Sequence, residues 1–148
     1  MIAVILGGGT MDKKIMLTIK GSHRSGDGEN SSMELITEGR LLEQNGIFHI
    51  EYDESEISGK AGTKTRFSFL DDGVSMERSG TTSSQCLFQR GKKYIDTHVT
   101  PLGSIQMEVY PTRVRHELGS EEGSLNLKYQ LDIDGTSVGT NELNLYYK

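Results

Sequence analysis

Alternation of apolar and polar residues with period two, resumed on either side of Asn-Gly and Asp-Gly pairs, constrains this chain more than any other feature. Leu125, Leu127, Tyr129, Leu131 and Ile133 fall on one side of an extended segment, and Asn126, Lys128, Gln130 and Asp132 on the other. Phe48, Ile50 and Tyr52 alternate with His49, Glu51 and Asp53; Ile105, Met107 and Val109 alternate with Gln106 and Glu108. Val114, His116 and Leu118 alternate with Arg113, Arg115 and Glu117. Successive strand side chains point to opposite faces, so this is the pattern of antiparallel strands with one buried face.

The turns sit where hairpins need them. Asn45-Gly46, Asp72-Gly73 and Asp134-Gly135 separate strand-like runs, and Arg90-Gly91-Lys92 is a looser fourth case. Two-residue type I′ hairpin turns need positive φ at both central residues, which Asn-Gly and Asp-Gly tolerate best. About ten candidate strands follow at short spacing, beginning with residues 15–20 and ending with residues 142–147, whose Leu and Tyr residues could pair back to the first strand and close the sheet. Residues 21–32 read as a polar loop. Ser31-Ser32-Met33-Glu34 matches a helix capping box, but Gly39 and the Asn45-Gly46 turn favour a strand there. Periodicity leaves a sandwich and a barrel both open.

A chain of 148 residues fits one domain. Sixteen basic against twenty-one acidic residues give a net charge of −5, and there is no basic tract, which argues against nucleic-acid and anionic membrane partners. Cys86 is the single cysteine, so no internal disulfide can form; that favours a reducing, cytoplasmic setting. The six apolar residues at the start are too few for a membrane span, which needs about 20, and they lack the basic start of a signal peptide.

The glycines at positions 7, 8 and 9 after that apolar start resemble the opening of a dinucleotide site. The fingerprint fails, because Asp12 stands where the third glycine should be and no helical segment follows. Residues 1–12 therefore read as an N-terminal extension, disordered or an added strand, ahead of a β-barrel domain over 13–148. His23, His49, His98 and His116 lack metal-ligand spacing. The acidic residues 51–56 read as a solvated rim rather than a catalytic carboxylate pair or calcium loop. Cys86 reads as a small buried hydrophobe. No cofactor is indicated.

Leu35-Ile-Thr-Glu-Gly39, the stretch Glu51-Tyr-Asp-Glu-Ser-Glu-Ile-Ser-Gly-Lys-Ala-Gly-Thr-Lys-Thr65 and Thr100-Pro-Leu-Gly103 occur in that order. In them the chain resembles the YwiB-like family of uncharacterised bacterial proteins, across residues 13–147. The resemblance implies an all-β fold, a single antiparallel calycin-like, lipocalin-resembling β-barrel of about 8–10 strands. It supplies no catalytic residues. Residues 58–65, with Gly59 and Gly62, read as a barrel corner, or else as a loop over a mouth.

A small barrel can enclose one ligand or be filled by its own side chains. The first reading is a binding module for a small, partly apolar molecule, with Tyr52, Thr65, Phe67, Met107, His116 and Tyr129 on the apolar-side positions and Arg78 to meet an anionic group. The second is a packed barrel serving protein interaction, including a homodimer through residues 143–147. The third is a small enzyme using His116 as acid or base beside a carboxylate such as Glu54. His116 is expected to be a core histidine, and the balance leans away from enzymatic activity.

Overall fold

The computed structural model describes residues 11–54, 62–80 and 83–148. Ten strands make up the described chain: β1 (Met11–Arg24), β2 (Asn30–Gln44), β3 (Ile47–Asp53), β4 (Thr63–Leu70), β5 (Gly73–Gly80), β6 (Ser84–Phe88), β7 (Tyr94–Thr100), β8 (Gly103–Leu118), β9 (Gly123–Ile133) and β10 (Thr136–Tyr147). They form one antiparallel sheet in the order β6-β5-β4-β3-β2-β1-β10-β9-β8-β7. Chain neighbours are sheet neighbours except β6 and β7, and the last strand pairs with the first, Leu145 opposite Ile19 and Tyr147 opposite Leu17. The sheet curls into a nearly closed barrel whose two edges are β6 and β7. These strands are consecutive in the chain, and the isolated Gln89–Lys92 bridge turns one towards the other. Between them runs the seam of the barrel. Among the described residues no helix is long and apolar enough to cross a membrane.

The turns follow the residues that permit them. Asn45 and Gly46 have φ of 55° and 80°, and Asp134 and Gly135 have 50° and 82°, positive at both positions as a type I′ hairpin requires. The third pair behaves differently. Leu70 pairs with Gly73, so Asp71 and Asp72 form the turn and Gly73 opens β5. Glycine is needed there for space, since a Cβ would lie 2.5 Å from the Phe88 carbonyl oxygen. Residues 31–40 are strand, and the loop expected over 21–32 shrinks to residues 25–29 because β1 and β2 pair as far as Arg24 and Asn30. The sheet also begins earlier than residue 13, with Met11 opposite Glu43 and Asp12 opposite Leu42; residues 1–10 lie outside the described residues.

The alternation in β8 changes phase between Val109 and Val114, so both sets can face inward only if one residue is extra. The register supplies it: Tyr129 pairs with Pro111 and Lys128 with Arg113, leaving Thr112 as a bulge. Inward positions on β1, β9 and β10 carry Ile15, Leu17, Ile19, Leu125, Leu127 and Leu145, all buried. The core continues through Leu41, Ile50, Phe67, Val74 and Phe88. The Tyr147 ring lies over Gly123, where a Cβ would come within 2.5 Å of it. Its hydroxyl donates to the Gly119 carbonyl and accepts from the Gly119 amide at 3.1 Å. That contact locks the β8–β9 turn to the last strand.

Candidate functional site

The inward row of the sheet turns polar as it approaches the seam. Register places Tyr52 on β3 opposite Thr65 on β4, Thr65 opposite Arg78 on β5, and Arg78 opposite Ser84 on edge strand β6. Just past β3, Glu54 turns inward as well: its backbone amide donates to the Thr63 carbonyl at 2.8 Å. Its side chain is only 3% exposed and lies 3.8 Å from the Arg78 Nε. Thr65, fully buried, donates its hydroxyl to the Glu54 carboxylate. The expected solvated rim is corrected here, because Glu54 is a buried carboxylate held by a hydroxyl and a guanidinium. Glu51 pairs with Arg66, while residues 55 and 56 lie outside the described residues.

Arg78 reaches from this buried group into a hollow at the seam. The hollow has a volume of about 120 Å³ and is lined by Met76, Arg78, Ser84, Gln85, Cys86 and Phe88 on one side. On the other side stand Tyr94 and Asp96 of β7, Met107 and Val109 of β8, and Tyr129 and Leu131 of β9. Phe88 and Tyr129 meet across the interior with ring centroids 5.1 Å apart. The Arg78 side chain is 23% exposed, and its buried Nε has no hydrogen-bond acceptor among the described residues. A buried guanidinium N–H without an acceptor is costly to keep.

Two opposite charges set the electrostatics of this hollow. The Cys86 thiol is pushed up to about 12 by burial first and by the Asp96 carboxylate second, with Arg78 acting the other way. Burial and the carboxylate both disfavour the thiolate, the form that acts as a nucleophile. Burial raises the Tyr129 hydroxyl, opposed by its hydrogen bond to Asn141 and by Arg78. Burial and then Asp96 raise that of Tyr94. Tyr52 is held far above the usual phenol value by burial and then by Glu54. The cation thus acts on Tyr129 and the carboxylate on Tyr94, while Cys86 feels both.

The residues expected to line a pocket divide into three sets. Arg78, Met107 and Tyr129 line the hollow. Tyr52, Thr65 and Phe67 are buried beside it in the wall, with the Tyr52 and Phe67 rings stacked at 6.5 Å. His116 is not a core histidine: it is exposed near the far end of β8, with its ring centroid 5.2 Å from that of Phe69 in an edge-on arrangement. No hydrogen bond or ion pair joins His116 to Glu54 among the described residues. No group of three or more His, Cys, Asp or Glu able to hold a metal occurs there either.

Asp96, Tyr94 and Glu54 were absent from the expected pocket set. Asp96 had a signal. It lies two residues from Tyr94 and pairs with Met107, so it carries a charge in an inward slot. Glu54 had none, because its inward turn depends on how β3 ends.

A family model described as a domain of unknown function, DUF1934, matches residues 17–145. The fold is also similar to that of the crystal structure of the ywiB protein from Bacillus subtilis, with a TM-score of 0.78, 20% identity and 96% of each chain covered. No curated protein matches the chain.

Proposed function

The chain belongs to the DUF1934 family, and we propose that its barrel binds a small, partly apolar molecule with a charged group at the β6–β7 seam, with Arg78 as the anchor. The observation that carries this reading is the Arg78 Nε, buried without an acceptor among the described residues, at the wall of a hollow whose lining includes Met76, Phe88, Met107, Val109 and Leu131. Ligand sites combine an apolar lining with a few fixed polar groups, and that combination is what the seam offers. A volume of about 120 Å³ is that of roughly four waters. The ligand, or the part of it that enters, is therefore a group of a few heavy atoms.

Binding is preferred to catalysis for a chemical reason. Burial disfavours the Cys86 thiolate, and His116 does not line the hollow. Saturation-transfer NMR against a panel of short-chain acids, amines and alcohols tests the reading. Binders should compete with one another and vanish in both Arg78→Met and the cavity-filling Cys86→Leu. Signals unchanged in both folded variants, or no binder in the panel, overturn it.

A further inference from the structure

Resting on the Arg78 anchor of that reading, we infer that the group entering the hollow is the side-chain carboxylate of a glutamate, carried on an acidic segment of another polypeptide that adds as a further strand along the edge of β6. On one side β6 pairs with β5, and on the other no ladder joins it to β7. In an antiparallel edge strand, alternate residues point their backbone N–H and C=O groups away from the only neighbour. Native edges are commonly guarded by a charged side chain, a proline or a bulge. Ser84-Gln-Cys-Leu-Phe88 carries neither charge nor proline and pairs with β5 without a bulge. The facing edge β7 carries Asp96, so β6 is the edge left open to a strand.

Strand addition draws affinity from main-chain hydrogen bonds and specificity from pockets for alternate side chains. On β6 the inward positions are Ser84, Cys86 and Phe88. A residue of the added strand opposite Ser84 continues the inward row of Tyr52, Thr65, Arg78 and Ser84. Ser84 is the smallest side chain of that row, so a glutamate beside it passes over it towards Arg78, which lines the hollow. Glutamate suits the span better than aspartate, because neighbouring strands lie about 4.8 Å apart. Glu54 stands 3.8 Å from the Arg78 Nε, beyond hydrogen-bonding distance, so the guanidinium keeps a donor for a second carboxylate. A hollow of about 120 Å³ is matched by one side chain, while the peptide backbone stays at the edge outside it. Opposite Cys86 the added strand meets Met76, Phe88, Met107 and Val109, which favours an apolar side chain. In antiparallel pairing that residue comes two before the glutamate, so the order is valine, any residue, glutamate.

The probe is the peptide acetyl-Thr-Val-Thr-Glu-Thr-amide, titrated into the isotope-labelled chain. Its controls are the same peptide with alanine for glutamate, the same peptide methylated on its backbone nitrogens, and propionate, which offers the carboxylate without a backbone. The parent peptide is expected to bind at least about tenfold more tightly than each control, a ratio that one charge-assisted hydrogen bond commonly supplies. It should slow hydrogen exchange at amides of residues 84–88, and Arg78→Met should weaken it to the level of the alanine peptide. Should that variant fail to fold, the glutamate and alanine peptides on wild type decide the matter. Propionate binding as tightly as the peptide, and lost in Arg78→Met, overturns strand addition and leaves the small-ligand reading standing. Equal binding of the parent, alanine and methylated peptides overturns strand addition as well. Silence from the peptide and from every panel acid overturns both. Dimerisation of the free chain that already protects residues 84–88 puts a second copy on the edge and overturns the acidic partner.

Discussion

Along β1, β9 and β10 the inward positions are filled by Ile15, Leu17, Ile19, Leu125, Leu127 and Leu145, all buried. Along β5, β6 and β7 the same kind of position holds Met76, Arg78, Ser84, Cys86, Tyr94 and Asp96, and these border a hollow. Both regions obey the same period of two, and both belong to one continuous sheet. They differ in how their strands end. In the first region each strand has a partner on both sides, so branched aliphatic side chains pack from three directions. In the second the sheet runs out at β6 and β7, and the inward side chains face a gap instead of another layer. Where pairing stops, packing cannot exclude water or a small guest, and polar residues in the inward row become tolerable. A site can therefore sit where a barrel fails to close.

That contrast can be broken by mutation. The largest effect is expected in the packed region. Leu127 is fully buried, and Leu127→Ala should cost about 3 kcal/mol or more in chemical denaturation, from lost transfer energy plus a cavity. Met107→Ala, at the hollow, should cost about 1 kcal/mol or less, since its side chain borders space already open. Equal costs at the two positions would mean that the hollow is packed in solution.

Next comes the charge at the edge of the hollow. Glu54→Ala strands both the Thr65 hydroxyl and the Arg78 guanidinium, at about 2–3 kcal/mol. The double variant Glu54→Gln/Arg78→Met should recover most of that loss. A double variant no more stable than Glu54→Ala would show that the two side chains act independently.

Gly123→Ala probes the packed region in the opposite sense, by overfilling. Its Cβ would lie 2.5 Å from the Tyr147 ring, and a cost of about 1–3 kcal/mol is expected. Adding Tyr147→Leu should make the glycine change nearly neutral, as read by thermal melts of the four combinations.

The smallest effect is a dependence on pH. His49, whose Nδ1 lies 2.8 Å from the Ser68 hydroxyl, has its pKa lowered, by burial first and then by Arg66. Its neutral form is favoured on folding, so the unfolded chain binds the proton more readily. The contribution to stability is present above the unfolded value of about 6.5 and is lost as pH falls through the folded value. Wild type should therefore lose more stability than His49→Gln between neutral and mildly acidic pH. Parallel loss in both proteins would remove His49 from the account.

Most of the barrel was legible because its information is local. Alternation at Leu125, Leu127 and Tyr129 gave β9, and Asn45-Gly46 and Asp134-Gly135 gave two hairpins with the required positive φ. The bulge at Thr112 was not read from the sequence, although the Val109 and Val114 alternations are out of phase with each other. The hollow was less legible. Arg78, Met107 and Tyr129 could be placed inward by alternation, but inward means hollow only near the seam, and the seam is a property of the whole sheet. Tyr52, Thr65 and Phe67 face the same interior where it is filled. His116 keeps its inward register, opposite Leu125, yet it is exposed. Glu54 illustrates the opposite error. It belongs to an acidic surface-like run, and a single backbone hydrogen bond to Thr63 turns it inward.

The central claim is that the seam hollow, and not the packed wall, receives a ligand at Arg78. Amide and arginine side-chain NMR spectra of the labelled protein, recorded during titration with propionate, test it directly. The account predicts shifts confined to residues 76–78, 84–88, 94–96, 107–109 and 129–131, together with a shift of the Arg78 Nε–Hε signal as it gains an acceptor, while Leu17, Leu125 and Leu127 stay still. An unmoved Arg78 Nε–Hε signal, with shifts scattered over surface residues or centred on the packed wall, would contradict it.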